Sequence, residues 1–126
     1  VVLHISSSAP DIDVVAKLID VDPDGRAWNV VDGIARLRYR DGITSPALMI
    51  PGTTYRVEVN LKSIAYRFPA GHRLRLFLSN SNFPQWERNS ATGGNIFDES
   101  TYLPATSTVY FGPATPSALV LPVVPK

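Results

Sequence analysis

The stretch VVAKLIDVDPDGRAWNVVDGIARLRYR, residues 14–40, consists of short apolar runs separated by turn residues. Residues 14–21 and 26–31 predict two β-strands, because apolar and β-branched side chains dominate both runs. Asp22–Gly25 lies between them, with proline at the second position and glycine at the fourth, which is typical of a type I turn. The stretch therefore predicts β-strands joined by tight turns.

A second turn signal in the same stretch, Asp32-Gly33, is typical of a tight hairpin and predicts a further strand over 34–40. Other alternating segments predict strands at residues 1–7, 54–61 and 73–78, and two short strands are expected near 107–111 and 118–124. About eight short strands at regular spacing are typical of a sandwich or barrel. We therefore expect an all-β fold, a two-sheet jelly-roll sandwich.

The composition fits one globular domain over residues 1–126, of which 44% are hydrophobic. The net charge of +1, from 12 basic and 11 acidic residues, predicts no general attraction to nucleic acid or to a membrane surface. No apolar run approaches the length of a membrane span. The chain has no cysteine, which excludes disulfides and thiol chemistry.

The sequence offers little for catalysis. A serine hydrolase needs a serine activated by a histidine, and the chain has no G-x-S-x-G elbow. His4 and His72 are its two histidines, and each lies in or at a predicted strand. We interpret both as structural, with the ring of His72 bonded to a nearby group, and we expect no catalytic residue.

A calcium-loop pattern, D-x-D-x-D-G, begins at Asp20. The bidentate acid of such a loop would fall at position 31, which is Val31, and strands rather than helices flank the pattern. We expect Asp20, Asp22 and Asp24 to shape a turn instead. Two histidines without cysteine disfavour zinc. We therefore expect neither a metal site nor a cofactor.

Arginines recur at every second position in two predicted strands. Arg36, Arg38 and Arg40 form one row, and Arg73 and Arg75 form the other. Such rows can bind phosphate, but side chains two residues apart share one face of a strand. With balanced net charge, we interpret both rows as the solvated faces of strands.

Residues 80–105 lack periodicity, and a loop of that length in a compact domain is often functional. Phe83 and Trp86 within it are compatible with a catalytic loop, a ligand platform or a surface that another protein part covers. Trp28, Trp86 and Tyr102 are candidates for stacking against sugar rings. Exposed aromatic residues equally mark an interface with a neighbouring domain.

Several motifs in the right order resemble the C-terminal domain of the X-Pro dipeptidyl-peptidase and cocaine-esterase-like serine hydrolases. The matching positions are Ala9-Pro10-Asp11, Pro23-Asp24-Gly25, Gly33, Arg36, Tyr39 and Arg40, followed by the segments 71–75 and 81–93. The likeness covers nearly the whole chain. It implies a jelly roll similar to galactose-binding domains, at the C-terminal end of a larger α/β-hydrolase enzyme.

The resemblance also implies a role. The catalytic triad of that family belongs to a preceding α/β-hydrolase domain, so this chain is expected to be a non-catalytic accessory domain that packs on it. The parent would hydrolyse esters, amides or X-Pro peptides, and its compartment and homo-oligomeric state stay open. The expected inter-domain contacts are Phe83, Pro84, Trp86, Arg88 and Asn89. A carbohydrate- or small-ligand-binding module on the same fold is the alternative.

Overall fold

The computed structural model of the protein describes residues 1–95 and 97–124. Within these residues the elements are β1 Val2–Ser7, β2 Asp13–Val21, β3 Ala27–Arg36, a 3₁₀ helix Leu37–Tyr39, β4 Tyr55–Glu58, β5 Arg73–Ser79, β6 Ser107–Gly112 and β7 Thr115–Pro116. The strands form two antiparallel sheets, ordered β4-β1-β6-β7 and β3-β2-β5. The predicted all-β, two-sheet jelly-roll sandwich is confirmed.

The hydrophobic core lies between the two sheets. Leu3 and Ile5 of β1 face inward from one sheet, and Val14 and Ala16 of β2 face inward from the other. Each pair lies two residues apart, which is the spacing that places strand side chains on one face. Val57 of β4 extends the same cluster, as its alternating pattern predicts.

The hairpin predicted at Asp32-Gly33 is wrong, because β3 runs through it without a turn. Gly33 pairs with Ala16 of β2 and is buried. A Cβ atom there would lie 2.1 Å from the carbonyl oxygen of Asn60, which crosses the strand at this point. Glycine is needed here for close approach of another backbone segment, which the sequence signal does not distinguish from a turn.

The strand predicted over 34–40 ends early. β3 stops at Arg36, and Leu37–Tyr39 forms a 3₁₀ helix in which the Arg40 amide donates to the Leu37 carbonyl at 3.2 Å. The side chain of Leu37 is fully buried. The predicted arginine row therefore does not continue along one strand.

The strand predicted over 118–124 is also wrong. Ala118 forms an isolated bridge with Val2, and the segment beyond it is irregular. Pro122 lies in this segment and has no amide hydrogen to donate to a ladder. The final strand is the shorter Thr115–Pro116.

The longer strands of the described residues connect two ends of the sandwich that differ in character. The loop end consists of segments 8–12, 37–54 and 80–106, and the turn end consists of segments 22–26, 69–72 and 113–114. At the turn end the Gly25 amide donates to the Asp22 carbonyl at 3.0 Å, so the predicted turn is confirmed. The loop end holds most of the irregular backbone and the predicted contact residues.

Candidate interdomain docking surface

Two buried aspartates, Asp11 just before β2 and Asp13 at its first position, organise the loop end. Arg36, the last residue of β3, donates to both carboxylate oxygens of Asp13, from Nε at 2.7 Å and from Nη2 at 2.8 Å. A buried carboxylate needs such a charged donor, because desolvation of an unpaired charge is costly. The hydrogen bond to Asp13 raises the pKa of Arg36 above its ordinary value, against the opposing effect of burial.

The second aspartate, Asp11, is held by Arg38. The Arg38 backbone amide donates to Asp11 Oδ1 at 2.9 Å, and its Nε donates to Oδ2 at 2.7 Å. The side chains of Arg36 and Arg38 are 16% and 13% exposed. The prediction of a solvated arginine face is wrong for these two residues, whose guanidinium groups neutralise buried acids. It is also wrong for Arg40, whose side chain is 11% exposed and donates to the Leu37 and Ala47 carbonyls.

Asn89 joins the two ion pairs to the long loop. Its Nδ2 donates to Asp11 Oδ2 and to Asp13 Oδ1, both at 2.9 Å, and its Oδ1 accepts from the Ala91 amide at 2.9 Å. Arg38 Nη2 donates to the Gly94 carbonyl at 2.9 Å. The segment around Asn89 is therefore fixed against β2 by charge-assisted hydrogen bonds inside the chain.

Above this network lies an exposed cluster of two aromatic rings and a cation. The Arg88 Cζ lies 5.4 Å from the ring centroid of Phe83 and 4.8 Å from that of Tyr102. The Phe83 side chain is 59% exposed and that of Tyr102 is 46% exposed. Arginine over an aromatic face is an attractive arrangement that fixes both groups. We call Phe83, Arg88 and Tyr102 the aromatic clamp.

The five residues predicted to contact a partner occupy different depths. Phe83 and Pro84 are exposed and joined by a cis peptide bond, and Arg88 is exposed beside them. Trp86 is half-buried, and its amide donates to the Asn82 carbonyl at 3.3 Å. Asn89 is half-buried in the network below. The structure brings three of the five to the surface together.

Sequence reasoning missed other apolar side chains at the same end. The large exposed ones in these loops are Ile43, Leu48, Ile50, Phe97 and Leu103. Leu48 packs beside Gly93, and the Leu103 amide donates to the Ser90 carbonyl at 2.9 Å, so the loops support one another. The apolar residues of segment 41–53, which follow no strand or helix periodicity, were the signal that could have identified this part of the surface.

The proposed sugar-stacking residues do not meet. Trp28 lies in β3 opposite Asp20, near the turn end, and is 58% exposed. Trp86 and Tyr102 belong to the loop end. A platform built from all three rings is therefore absent from the described part of the chain.

The turn end carries a different polar cluster. Asp20 is buried and lies within β2 rather than in the turn, so its predicted role there is wrong. Its Oδ1 pairs with His72 Nδ1 at 2.9 Å, and its Oδ2 accepts from the Tyr66 hydroxyl at 2.7 Å. That hydrogen bond raises the pKa of Tyr66 above its ordinary value. The predicted structural hydrogen bond of His72 is confirmed.

A carboxylate and an imidazole alone do not make a hydrolase site. In residues 1–95 and 97–124, the His72 ring makes its side-chain hydrogen bond to Asp20, and no serine hydroxyl bonds to it. The carboxylate of Asp22 accepts from the Arg26 amide at 2.8 Å and so closes the turn in which it lies. The described residues contain no group of three or more histidine, aspartate or glutamate side chains placed to hold a metal ion.

An apolar groove of about 1200 Å³ opens along the edge between the two sheets. Val30 and Val31 of β3 line one side, and the segments 58–68 and 120–124 line the other. Leu18 of β2 also lines it.

In the described residues, no helix has the length and hydropathy to cross a membrane.

Comparison with known proteins places these features in a family. The family model of the X-Pro dipeptidyl-peptidase C-terminal non-catalytic domain matches residues 1–120. A cocaine esterase from Rhodococcus sp. (strain MB1 Bresler) is 43% identical over 126 residues, a match that covers 98% of this chain and 22% of the esterase.

Solved structures agree with this match. An α-amino acid ester hydrolase labelled with selenomethionine superposes with a TM-score of 0.85 at 32% identity, over 90% of this chain and 20% of that one. An aminopeptidase from a marine sediment archaeon, Thaumarchaeota archaeon, gives 0.77 at 30% identity, over 86% and 20%. The chain thus spans about a fifth of the length of these relatives.

Proposed function

The chain belongs to the X-Pro dipeptidyl-peptidase C-terminal non-catalytic domain family, and we propose that its loop end packs against an α/β-hydrolase catalytic domain of the same polypeptide. The chain itself is non-catalytic, and residues 1–126 would form one accessory domain. Hydrolysis of ester, amide or X-Pro peptide bonds by the parent is part of the proposal. The names of the similar proteins, an esterase, an ester hydrolase and an aminopeptidase, support it.

The aromatic clamp on its fixed base is the observation that carries this proposal. Exposed apolar patches with a polar rim commonly mark interaction sites. Interface centres are enriched in aromatic residues and arginine, which contribute most of the binding free energy. Phe83, Arg88 and Tyr102 supply these residue types, and the ion pairs below hold their loop in place before docking.

The predicted contact residues would then have distinct roles. Phe83, Pro84 and Arg88 would contact the catalytic domain directly, because they are exposed. Trp86 would contact it with the exposed part of its ring. Asn89 would act from below, by keeping the loop in its docked shape through Asp11 and Asp13.

The test is Phe83→Ser, made in the full-length protein and in the 126-residue chain alone. Loss of an interface anchor should cost the full-length protein about 2 kcal/mol of stability, as hot-spot residues do. The isolated chain should change by only about 0.5 kcal/mol, because the ring is exposed there. Chemical denaturation monitored by intrinsic fluorescence provides both values.

Phe111→Ser is the matched control. Phe111 is 75% exposed and lies on β6 toward the turn end. Its substitution should have a small effect in both proteins. Equal, small effects of Phe83→Ser in the two proteins would refute docking through the loop end.

A second function, binding of a small ligand, is supported by the groove between the sheets. Its volume of about 1200 Å³ lies above the roughly 300–1,000 Å³ of most small-molecule sites, so it is large enough for such a ligand, and its lining is largely apolar. A panel of sugars and small apolar compounds screened by thermal shift tests this function. A saturable stabilisation that Leu18→Ala abolishes would support the binding module over the docking domain.

A further inference from the structure

We propose that the aromatic clamp receives a carboxylate, so that an aspartate or glutamate side chain of the catalytic domain pairs with Arg88 in the docked protein. This inference rests on the proposed docking of the loop end and specifies the chemistry of the partner surface. It begins from a contrast between Arg88 and the other arginines at that end.

The other loop-end arginines have acceptors within the chain. Arg36 and Arg38 pair with buried aspartates. Arg40 Nη1 donates to the Leu37 and Ala47 carbonyls, and its Nε lies 3.4 Å from Asp41. The Arg88 guanidinium has no carboxylate or carbonyl acceptor in the described residues, and its contacts there are the two rings. Its charge is left for a group outside them.

The acidic side chains closest to Arg88 in sequence form no ion pair with its guanidinium in the described residues. Glu87 accepts from the Arg88 backbone amide at 3.2 Å. Asp98 accepts from Asn95 at 2.6 Å, and Glu99 accepts from the Thr92 hydroxyl. The described residues therefore place two rings, and no paired carboxylate, against this guanidinium.

The rings also determine how a partner can approach. Phe83 and Tyr102 interact with the guanidinium through their faces. Its N–H donors lie in its own plane, in a fork that matches the two oxygens of a carboxylate. Holding a flexible side chain in place before binding reduces the entropy lost on association. The clamp is thus a prearranged donor pair within an apolar rim.

A partner that covers the clamp must supply an acceptor. A charge buried at an interface without a partner is strongly unfavourable, whereas a bidentate carboxylate both neutralises it and fixes the register of docking. A protein carboxylate fits best, because exposed apolar residues such as Leu48 and Leu103 at the same end need an apolar surface around the acid. A free carboxylate ligand would leave those side chains in water.

The full-length protein with Arg88→Lys tests this directly. A water-soluble carbodiimide joins a lysine amine to a carboxylate in contact with it, as an amide bond. Mass spectrometry of peptides should locate a cross-link from position 88 to an aspartate or glutamate outside residues 1–126. Arg75→Lys, at an exposed position on β5, is the control and should give no such cross-link.

A second variant, Arg88→Met, keeps most of the side-chain length and removes the charge. It should increase the opening of the docked domain about tenfold or more, as measured by hydrogen exchange in the loop end. Added acetate should not alter the opening of the wild-type protein. Closure by acetate would indicate a free carboxylate ligand and overturn the inference. A missing cross-link with unchanged opening would also overturn it. If Phe83→Ser still destabilises the full-length protein, docking stands and only the carboxylate partner fails.

Discussion

Each end of the sandwich contains a buried aspartate of β2, but the partners of the two aspartates differ. β2 carries a buried aspartate near each end, Asp13 at the loop end and Asp20 at the turn end. Asp13 pairs with an arginine and with Asn89 of the long loop. Asp20 pairs with a histidine and a tyrosine. The loop end therefore depends on a permanent cation, and the turn end on two titratable groups.

This difference indicates which end is built as a platform. At the loop end, Asp11, Asp13 and their partners join three segments that are far apart in sequence. At the turn end, Asp20 holds Tyr66 and His72, which are 46 and 52 residues away but belong to a single segment of the chain. Fixed irregular backbone carrying exposed aromatic side chains is what a docking surface requires. The loop end has this combination.

The largest expected effect comes from breaking the arginine pair. Arg36→Met leaves the buried Asp13 without its ionic partner and should destabilise the chain by about 3–5 kcal/mol. Urea unfolding of the 126-residue chain measures it. Arg56→Met is the control, because the Arg56–Glu58 pair is largely exposed and should contribute about 1 kcal/mol or less. Similar losses in both variants would contradict the structural role of the loop-end network.

At the turn end, His72→Ala should destabilise the chain by about 1–3 kcal/mol, because it removes one partner of a buried acid. The effect is smaller than that of Arg36→Met because one hydrogen bond to the acid is lost rather than a bidentate arginine–carboxylate pair. His4→Ala is the control, since His4 Nδ1 has no hydrogen-bond partner in the described residues. Thermal unfolding of both variants measures their loss of stability. A greater loss with His4→Ala than with His72→Ala would contradict the structural role of His72.

The smallest effect is a dependence on alkaline pH. Because the bond to Asp20 raises the pKa of Tyr66 in the folded chain, its contribution to stability is fully present below about pH 10 and is lost as pH rises through the raised value. The phenolate absorbance of wild type minus Tyr66→Phe should therefore titrate above pH 10. A midpoint at or below pH 10 would contradict the hydrogen bond.

The strands were predictable where one local rule decides them. Alternation identified β1, β4 and β5, a run of apolar and β-branched residues identified β2, and the turn at Asp22–Gly25 followed from its proline and glycine. Gly33 was misassigned because its role depends on Asn60, a distant residue that crosses β3. Local sequence cannot reveal such long-range contact.

The candidate surface was predictable only in part for the same reason. Phe83 and Arg88 were predictable as candidates because they are an aromatic and a charged residue within a non-periodic segment. The bonds of Asn89 to Asp11 and Asp13 span more than 70 residues, and no spacing rule links them. Arg36 and Arg38 looked solvated because the buried acids that neutralise them belong to another strand and loop.

The most direct test of loop-end docking is hydrogen–deuterium exchange on the full-length protein and on the 126-residue chain. We expect backbone amides in segments 81–88 and 99–104 to exchange more slowly in the full-length protein, because in the proposed docking the catalytic domain would cover them. Amides in the turn-end segments 22–26 and 69–72 should exchange equally in both. Protection that appears at the turn end instead, or at neither end, would contradict docking through the loop end.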